Sequence, residues 1–107
     1  QISRRTPRQL KHFTMPTQTS LSHDKLNGYS VLEVITPDRP GLLARIGRIF
    51  LEFNVRLQNA RISTLGERVE DIFFITDHQS QPLFDKQLGR ALQAEICRQL
   101  DQQVDKD

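Results

Sequence analysis

One segment of the chain combines residue types that can bind a charged ligand: TPDRPG at positions 36–41, between a β-branched run and an amphipathic run. Asp38 is a candidate N-cap for a helix, and Pro40 suits a first helical turn, where its missing N–H costs nothing. The free N–H groups and positive dipole end of a helix start can hold a carboxylate. Gly41 lets a ligand approach the backbone because it has no Cβ, and the Asp38 carboxylate can accept from an ammonium group. Helix-start chemistry alone also explains these residues, so a purely structural role stays open.

Other reactive side chains form no pattern typical of catalysis or metal binding. His12, His23 and His78 lack metal-ligand spacing, and we interpret them as surface residues. Cys97 is the only cysteine, which excludes a disulfide framework within the chain, and we expect it to be a small residue beside the core. Neither GxGxxG nor GxxxxGK[ST] occurs. We therefore expect that the chain by itself is not an enzyme and that it holds no metal or cofactor.

Composition is typical of one globular domain. The 107 residues are 36% hydrophobic and 26% charged, and such a chain buries roughly 60–70% of the surface that it exposes when unfolded. No apolar run approaches the roughly 18 residues of a membrane-spanning helix, and no apolar run follows the basic start, as it would in a signal peptide. We expect a cytoplasmic protein without a membrane partner. Because the sequence lacks an initiator methionine, we interpret it as a domain excised from a longer protein.

The N-terminal segment is basic, although the net charge of the chain is only +2. Four cations precede the first acidic residue, Asp24. Such an arm can dock on nucleic acid or on an acidic partner, or it can be a solvated linker from a preceding domain. We favour a linker over residues 1–12 because no aromatic side chain lies between the cations for base stacking. We expect no nucleic-acid partner.

Hydrophobic periodicity predicts the order strand, strand, helix, strand, strand, helix. The predicted strands cover residues 13–22, 29–36, 55–65 and 69–77, with turns at 23–28 and 66–68. The first helix is predicted to begin near Asp38 and to end at Asn54 in a left-handed conformation. The second helix is predicted to begin at a capping Asp85 and to reach about residue 104, leaving a frayed tail at 105–107.

This order predicts an α+β fold: a ferredoxin-like sandwich with a four-stranded antiparallel sheet and two helices on one face. In that fold a last strand follows the second helix and lies beside the first strand, but no strand follows here. A strand joined to 29–36 by a short turn arrives in the same place with the same direction. We therefore predict that residues 13–22 supply the fourth strand. Apolar residues on both faces of the run 69–77 predict that the open face of the sheet meets another domain.

The segment PDRPGLLARI at positions 37–46 resembles the ACT domain family of small-molecule-sensing regulatory modules, which share a strand, a D/N-R-P-G-x-L turn and a helix. The run NARISTLGERVEDIFFITD at 59–77 and the run RRTPRQLKHF at 4–13 extend the resemblance over roughly residues 4–100. They also narrow it to ACT domains at the C-terminal end of nitrogen-regulating enzymes. The resemblance implies an ACT domain at 13–104 that senses glutamine. It further implies a parent enzyme with nucleotidyltransferase and HD-type phosphohydrolase domains, which uses Mg²⁺ and acts on the nitrogen regulatory protein PII.

In ACT domains generally, the ligand lies between this turn and the second strand of a neighbouring ACT domain. By position, the resemblance implies the ligand-binding residues Asp38, Arg39, Pro40, Gly41, Leu42 and Leu43, faced by residues of the run 55–61 from the neighbour. Some amino-acid-binding ACT domains carry asparagine where this chain has Arg56, and Asn59, three residues further on, is the candidate here. The implied partners are glutamine and a neighbouring ACT domain or a second copy in a homodimer. A structural domain that pairs with another ACT domain and binds no small molecule stays open as the alternative.

Overall fold

The computed structural model describes residues 15–105, with side chains described as far as Gln102. The strands are β1 (Gln18–Asp24), β2 (Tyr29–Pro37), β3 (Arg56–Arg61), β4 (Thr64–Leu65) and β5 (Arg68–Thr76). The helices are α1 (Leu42–Glu52) and α2 (Lys86–Asp105). The strands form one antiparallel sheet in the order β1-β2-β5-β3, and β4 pairs with β5 beside this path. The predicted ferredoxin-like α+β class is confirmed.

The N-terminal strand occupies the place of the missing last strand. β1 pairs antiparallel with β2, from Gln18 opposite Ile35 to Asp24 opposite Tyr29. The prediction that the N-terminal segment completes the sheet is therefore confirmed, although the strand lies a few residues later than 13–22. The predicted linker, the first two residues of the predicted strand and the last two residues of the predicted tail lie outside the described residues.

The hairpin between β1 and β2 is tighter than the predicted turn at 23–28. The ladder continues through Asp24, and the turn is confined to residues 25–28. Asp24 closes this turn, because its carboxylate accepts from the N–H of Asn27 at 3.0 Å and its carbonyl accepts from the N–H of Gly28 at 2.9 Å. The side-chain amide of Asn27 also donates to the Asp24 carboxylate, at 2.8 Å, and these two bonds from Asn27 lower the pKa of Asp24. An aspartate at the first turn position commonly closes a turn in this way.

The predicted strand at 55–65 is interrupted. β3 contains a register shift between Leu57 and Asn59, and it stops at Arg61. The chain resumes as β4, which turns back into β5 through Gly66 at φ 69°. The sheet consequently has five strands rather than the predicted four.

The core lies between the helices and one face of the sheet. Alternate residues of β2 and β5 face the helices, as expected for a sheet covered on one side. The buried hydrophobic residues are Leu32, Val34, Leu42, Ile46, Ile49, Phe50, Val55, Val69, Phe73, Ile75, Leu83, Leu92, Ile96 and Leu100. The buried residues of both helices recur at short helical spacing, Phe53 and Leu88 pack partly buried against this core, and Leu43 is half-exposed. Asn54 ends α1 at φ 57°, as predicted.

Hydrogen bonds connect the C-terminal part of α2 to the segment before β1 and to the loop before α1. The Asp101 carboxylate accepts from both the N–H and the hydroxyl of Thr17, at 3.1 and 2.8 Å, and the Thr17 hydroxyl also bonds to that of Thr36. The Arg39 guanidinium donates to the Leu100 carbonyl. The loop that carries most of the predicted binding residues is therefore held by the last helix.

Candidate functional site

A cavity of about 270 Å³ opens at the N-terminus of α1. It is lined by residues of the preceding loop, the first turn of the helix, the β3–β4 region and β5. These residues are Asp38, Arg39, Gly41, Leu42, Leu43, Ala44, Ile62, Thr64, Val69 and Asp71. The fold thus brings five of the seven predicted binding residues to one cavity within a single chain.

The start of α1 differs from the predicted one. The N-cap is Gly41 at φ 76°, ψ 9°, and no side chain caps the helix. The prediction that Asp38 is the N-cap is wrong, as is the placement of Pro40 in the first turn, because the left-handed turn at Gly41 delays the helix until Leu42. Glycine adopts this conformation without the steric cost that a Cβ brings. Asp38 instead lies in the preceding loop, where its N–H donates to the Glu67 carbonyl at 2.8 Å.

The first turn of α1 leaves backbone donors at the cavity. The first bond within the helix runs from the Arg45 N–H to the Gly41 carbonyl at 3.0 Å. The N–H groups of Leu42, Leu43 and Ala44 therefore have no acceptor within the helix, and all three residues line the cavity. With the positive end of the helix dipole, these donors suit a carboxylate.

Asp71 supplies a buried carboxylate to the same cavity. The residue is only 1% exposed. Its Oδ1 accepts from the Ser63 N–H at 3.4 Å, and its Oδ2 has no hydrogen-bond partner among the described residues. Burial raises the pKa of Asp71, the Ser63 N–H lowers it, and the nearby charge of Asp38 raises it further. Asp71 is therefore a carboxylate that is poorly stabilised by its own surroundings.

Asp71 was not among the predicted binding residues, although the sequence contains a usable signal. Alternation along β5 places Val69, Asp71, Phe73 and Ile75 on the same face, and the three hydrophobic residues identify it as the core face. A charged residue in such a series has to be paired, protonated or reserved for a ligand. Its proximity to the start of α1 depends on the tertiary fold.

The cavity therefore combines two kinds of charge recognition. Backbone N–H groups can bind a carboxylate, and the carboxylates of Asp38 and Asp71 can bind an ammonium group. The half-exposed side chains of Leu43 and Ile62 lie at its rim and can contact aliphatic carbons. Within residues 15–105 no cluster of three or more metal-ligating side chains occurs. The arrangement matches a small zwitterion.

Asn59 does not join the other candidates within one chain. It is exposed on β3 next to the register shift, and its Oδ1 accepts from the adjacent Ala60 N–H at 2.8 Å. Arg56 donates to the Ser80 hydroxyl at 3.2 Å. The expectation that Asn59 faces a ligand held by a neighbouring domain stays a prediction. Pro40, the other candidate that does not line the cavity, lies in the loop next to it.

The helix-free face of the sheet carries half-buried apolar side chains: Val31, Ile35, Ile72 and Phe74. The ring of Tyr29 meets that of Phe74 edge to face at 5.2 Å, and the Arg61 guanidinium lies 5.7 Å from the Phe74 centroid. This face is less polar than a fully solvated sheet surface.

The remaining reactive side chains have structural contacts. His23 bonds through Nδ1 to the Ser30 hydroxyl at 2.8 Å, and its ring lies 5.3 Å from that of Phe84. Cys97 is half-buried on α2 with its Sγ 3.6 Å from the Thr17 carbonyl. Burial raises the pKa of the Cys97 thiol, so it is not activated as a nucleophile. Neither helix in residues 15–105 is long and apolar enough to cross a membrane.

Comparison with known proteins identifies a matching family model and similar curated relatives. The family model described as "ACT domain" matches residues 30–93. Curated relatives are the bifunctional uridylyltransferase/uridylyl-removing enzymes of Pseudomonas putida (strain W619), 62% identical over 92% of this chain, and of Pseudomonas aeruginosa (strain LESB58), 59% identical over 99% of this chain. The chain spans only 11–12% of the length of these relatives. No solved structure matches it significantly.

Proposed function

The chain belongs to the ACT domain family, and on this premise we propose that it is a regulatory domain that senses glutamine. One observation carries the proposal: the cavity at the start of α1, where uncapped backbone N–H groups and two aspartate carboxylates meet. An amino acid places a carboxylate and an ammonium group on one carbon, so both of its charges find complementary groups there.

The proposed complex uses each part of the cavity for one part of glutamine. The N–H groups of the first turn of α1 bind the ligand carboxylate, and Gly41 permits a close approach. Carboxylate oxygens of the chain bind the ammonium group. Leu43 and Ile62, each 49% exposed, cover the aliphatic carbons of the ligand. Thr64 also lines the cavity, and its hydroxyl can serve as a donor or acceptor for the side-chain amide.

We further propose that the domain is part of a bifunctional uridylyltransferase/uridylyl-removing enzyme in the cytoplasm. Support comes from the curated relatives of that name, which match 92–99% of this chain. In this proposal the parent uses Mg²⁺, modifies the nitrogen regulatory protein PII, and responds to glutamine by favouring removal of uridylyl groups. The domain itself then regulates the reaction and catalyses no step of it.

Isothermal titration of glutamine into the chain, with glutamate as the comparison ligand, tests the sensing role. We expect saturable heat with glutamine and weaker or no heat with glutamate. Asp38→Ala is the binding-site variant, and Asp85→Ala, which alters the start of α2, is the matched control. A folded chain that gives no heat with glutamine contradicts the proposal.

The helix-free face of the sheet favours a second candidate function, pairing with another ACT domain or with a second copy of the chain. Half-buried side chains such as Ile72 and Phe74 on that face are suited to an interface. Sedimentation of the chain with and without glutamine separates the two functions. A stable dimer that is unaffected by glutamine, together with a flat titration, favours a structural pairing domain.

A further inference from the structure

We propose that Asp71 recognises the ammonium group of the ligand, so that the cavity selects small molecules with a primary ammonium group beside a carboxylate. The inference rests on the proposed function, because it concerns the same cavity. It identifies Asp71, on β5, as a residue that determines which ligands bind in the cavity.

The Asp71 carboxylate has unused capacity for hydrogen bonds. Its side chain is almost fully buried, lines the cavity and leaves Oδ2 without a partner among the described residues. In native proteins the great majority of buried polar atoms have a hydrogen-bond partner. Burying a carboxylate without a cation costs an especially large free energy. In this proposal an ammonium group that enters the cavity reaches Asp71 and supplies the missing donor. The empty bonding position therefore indicates what the ligand must carry.

The charge around Asp71 is mainly negative. Its side chain accepts one hydrogen bond among the described residues, from the Ser63 N–H at 3.4 Å, and Asp38 adds a second negative charge nearby. The guanidinium of Arg39, which also lines the cavity, donates to the carbonyl of Leu100 on α2. Asp38, Asp71 and Arg39 together give the cavity lining a formal charge of −1, which favours a cationic group near Asp71. The helix donors above it favour the ligand carboxylate.

Asp71 and Asp38 differ in their exposure to solvent. Asp38 is exposed in its loop, where water solvates the carboxylate and weakens its interaction with a cation. Asp71 lies at low solvent exposure, where a charge-assisted hydrogen bond is stronger. Asp71 therefore contributes more to ammonium recognition than Asp38 does.

The test compares wild-type chain, Asp71→Asn and Glu70→Gln by titration with glutamine. Glu70→Gln is a matched control: it removes one negative charge from the adjacent residue, which lies on the opposite face of β5 and pairs with Arg68 at 3.0 Å. We expect Asp71→Asn to weaken glutamine binding about 10- to 100-fold and Glu70→Gln to leave it unchanged. Circular dichroism verifies that each variant is folded.

A second experiment uses only the wild-type chain. Glutaramate, the desamino analogue of glutamine, keeps the carboxylate and the amide but lacks the ammonium group. We expect it not to bind to the wild-type chain. We also expect glutamine to lower the pKa of Asp71, followed by NMR of its side-chain carbon, since a bound cation stabilises the ionised form. A merely structural Asp71 would show no such response.

The outcomes separate this inference from the proposed function. Equal glutamine binding by folded Asp71→Asn, or glutaramate binding as tightly as glutamine, overturns the role of Asp71 and leaves glutamine sensing in place. If glutamine does not bind but another of the twenty amino acids binds, and Asp71→Asn weakens that binding, the role of Asp71 stands and glutamine sensing is overturned. If no amino acid binds to the folded wild-type chain, both are overturned.

Discussion

The two helices of the domain begin in different ways. At α2, the carboxylate of Asp85 accepts from the N–H groups of Gln87 and Leu88, at 3.0 and 3.3 Å. At α1, the N-cap is Gly41, no side chain caps the helix, and the N–H groups of its first turn face a cavity. Each helix follows a proline-containing loop with an aspartate, yet only one of the two aspartates caps its helix.

The difference between the two helix starts distinguishes an acidic residue that caps a helix from acidic residues that remain available to a ligand. Asp85 satisfies the donors of its own helix, so the start of α2 has little capacity left for a ligand. Asp38 lies too early to do so, and Asp71, on a neighbouring strand, also leaves the helix donors unused. An uncapped helix start with a buried carboxylate beside it is therefore the more informative feature for function.

The largest effect on stability is expected at the turn that keeps the start of α1 uncapped. Gly41→Val places a β-branched residue at φ 76° and should lower the free energy of unfolding by about 2 kcal/mol. A Cβ at this position meets nothing within 4 Å, so the loss reflects backbone strain. Urea denaturation measures it. Gly41→Asn is the control, since asparagine tolerates this conformation better; equal losses in the two variants would contradict the explanation.

The next largest change in the free energy of unfolding is expected at Asp85, with Asp38 as the comparison. Asp85→Ala removes the cap of α2 and should lower the free energy of unfolding by about 1 kcal/mol. Asp38→Ala removes no cap and should change it by less than about 0.5 kcal/mol. Thermal unfolding of both variants under the same conditions provides the measurement. If Asp38→Ala costs as much as Asp85→Ala, the contrast between the helix starts is wrong.

A smaller effect, of opposite sign, is expected at Asp71. Asp71→Asn removes a buried charge without a partner and should raise the free energy of unfolding at pH 7 by roughly 0.5–1 kcal/mol. Because the pKa of Asp71 is raised in the folded state, that state binds more protons than the unfolded state just above pH 3.8. The wild-type chain should therefore lose stability relative to the variant as the pH rises through this window. Denaturation from pH 3 to pH 8 tests the sign.

The smallest effect is expected on the solvent-exposed surface of α2. Arg98 pairs with Glu95 at 2.5 Å and lowers the pKa of Glu95 to about 2. The stabilisation by this pair should be present above the ordinary pKa of 4.5 and lost as the pH falls towards 2. Glu95→Gln should change the melting temperature only marginally at neutral pH, because the pair is solvated. A large change would indicate an unrecognised role for this surface.

The parts of the fold that depend on local pattern could be predicted from the sequence. The order of elements, the cap at Asp85 and the left-handed Asn54 follow from residue types at short spacing. The N-terminal edge strand followed from topology, since a hairpin partner of β2 reaches the position of the absent last strand. The register shift within β3 and the break between β3 and β4 have no local signal in the run of residues.

The candidate site could be predicted only in part, for a physical reason. The segment before α1 is contiguous in sequence, so its residues could be recognised together. Asp71 comes from β5 and Ile62 from the connection between β3 and β4, and only tertiary structure places them at the cavity. Gly41 was expected to permit ligand approach, but its role as the N-cap that displaces Asp38 depends on its backbone conformation.

The N-terminal position of the edge strand also has a consequence for how the domain folds. β1 meets β2 across a turn of only a few residues, at 25–28, whereas a strand placed after α2 would have to return across most of the chain. Local contacts of this kind lower the contact order and favour rapid folding, and hairpins form within about 1–10 μs. The edge of β2 can therefore be covered before the helices dock. Early closure of that edge protects the folding chain from strand-to-strand association with its neighbours.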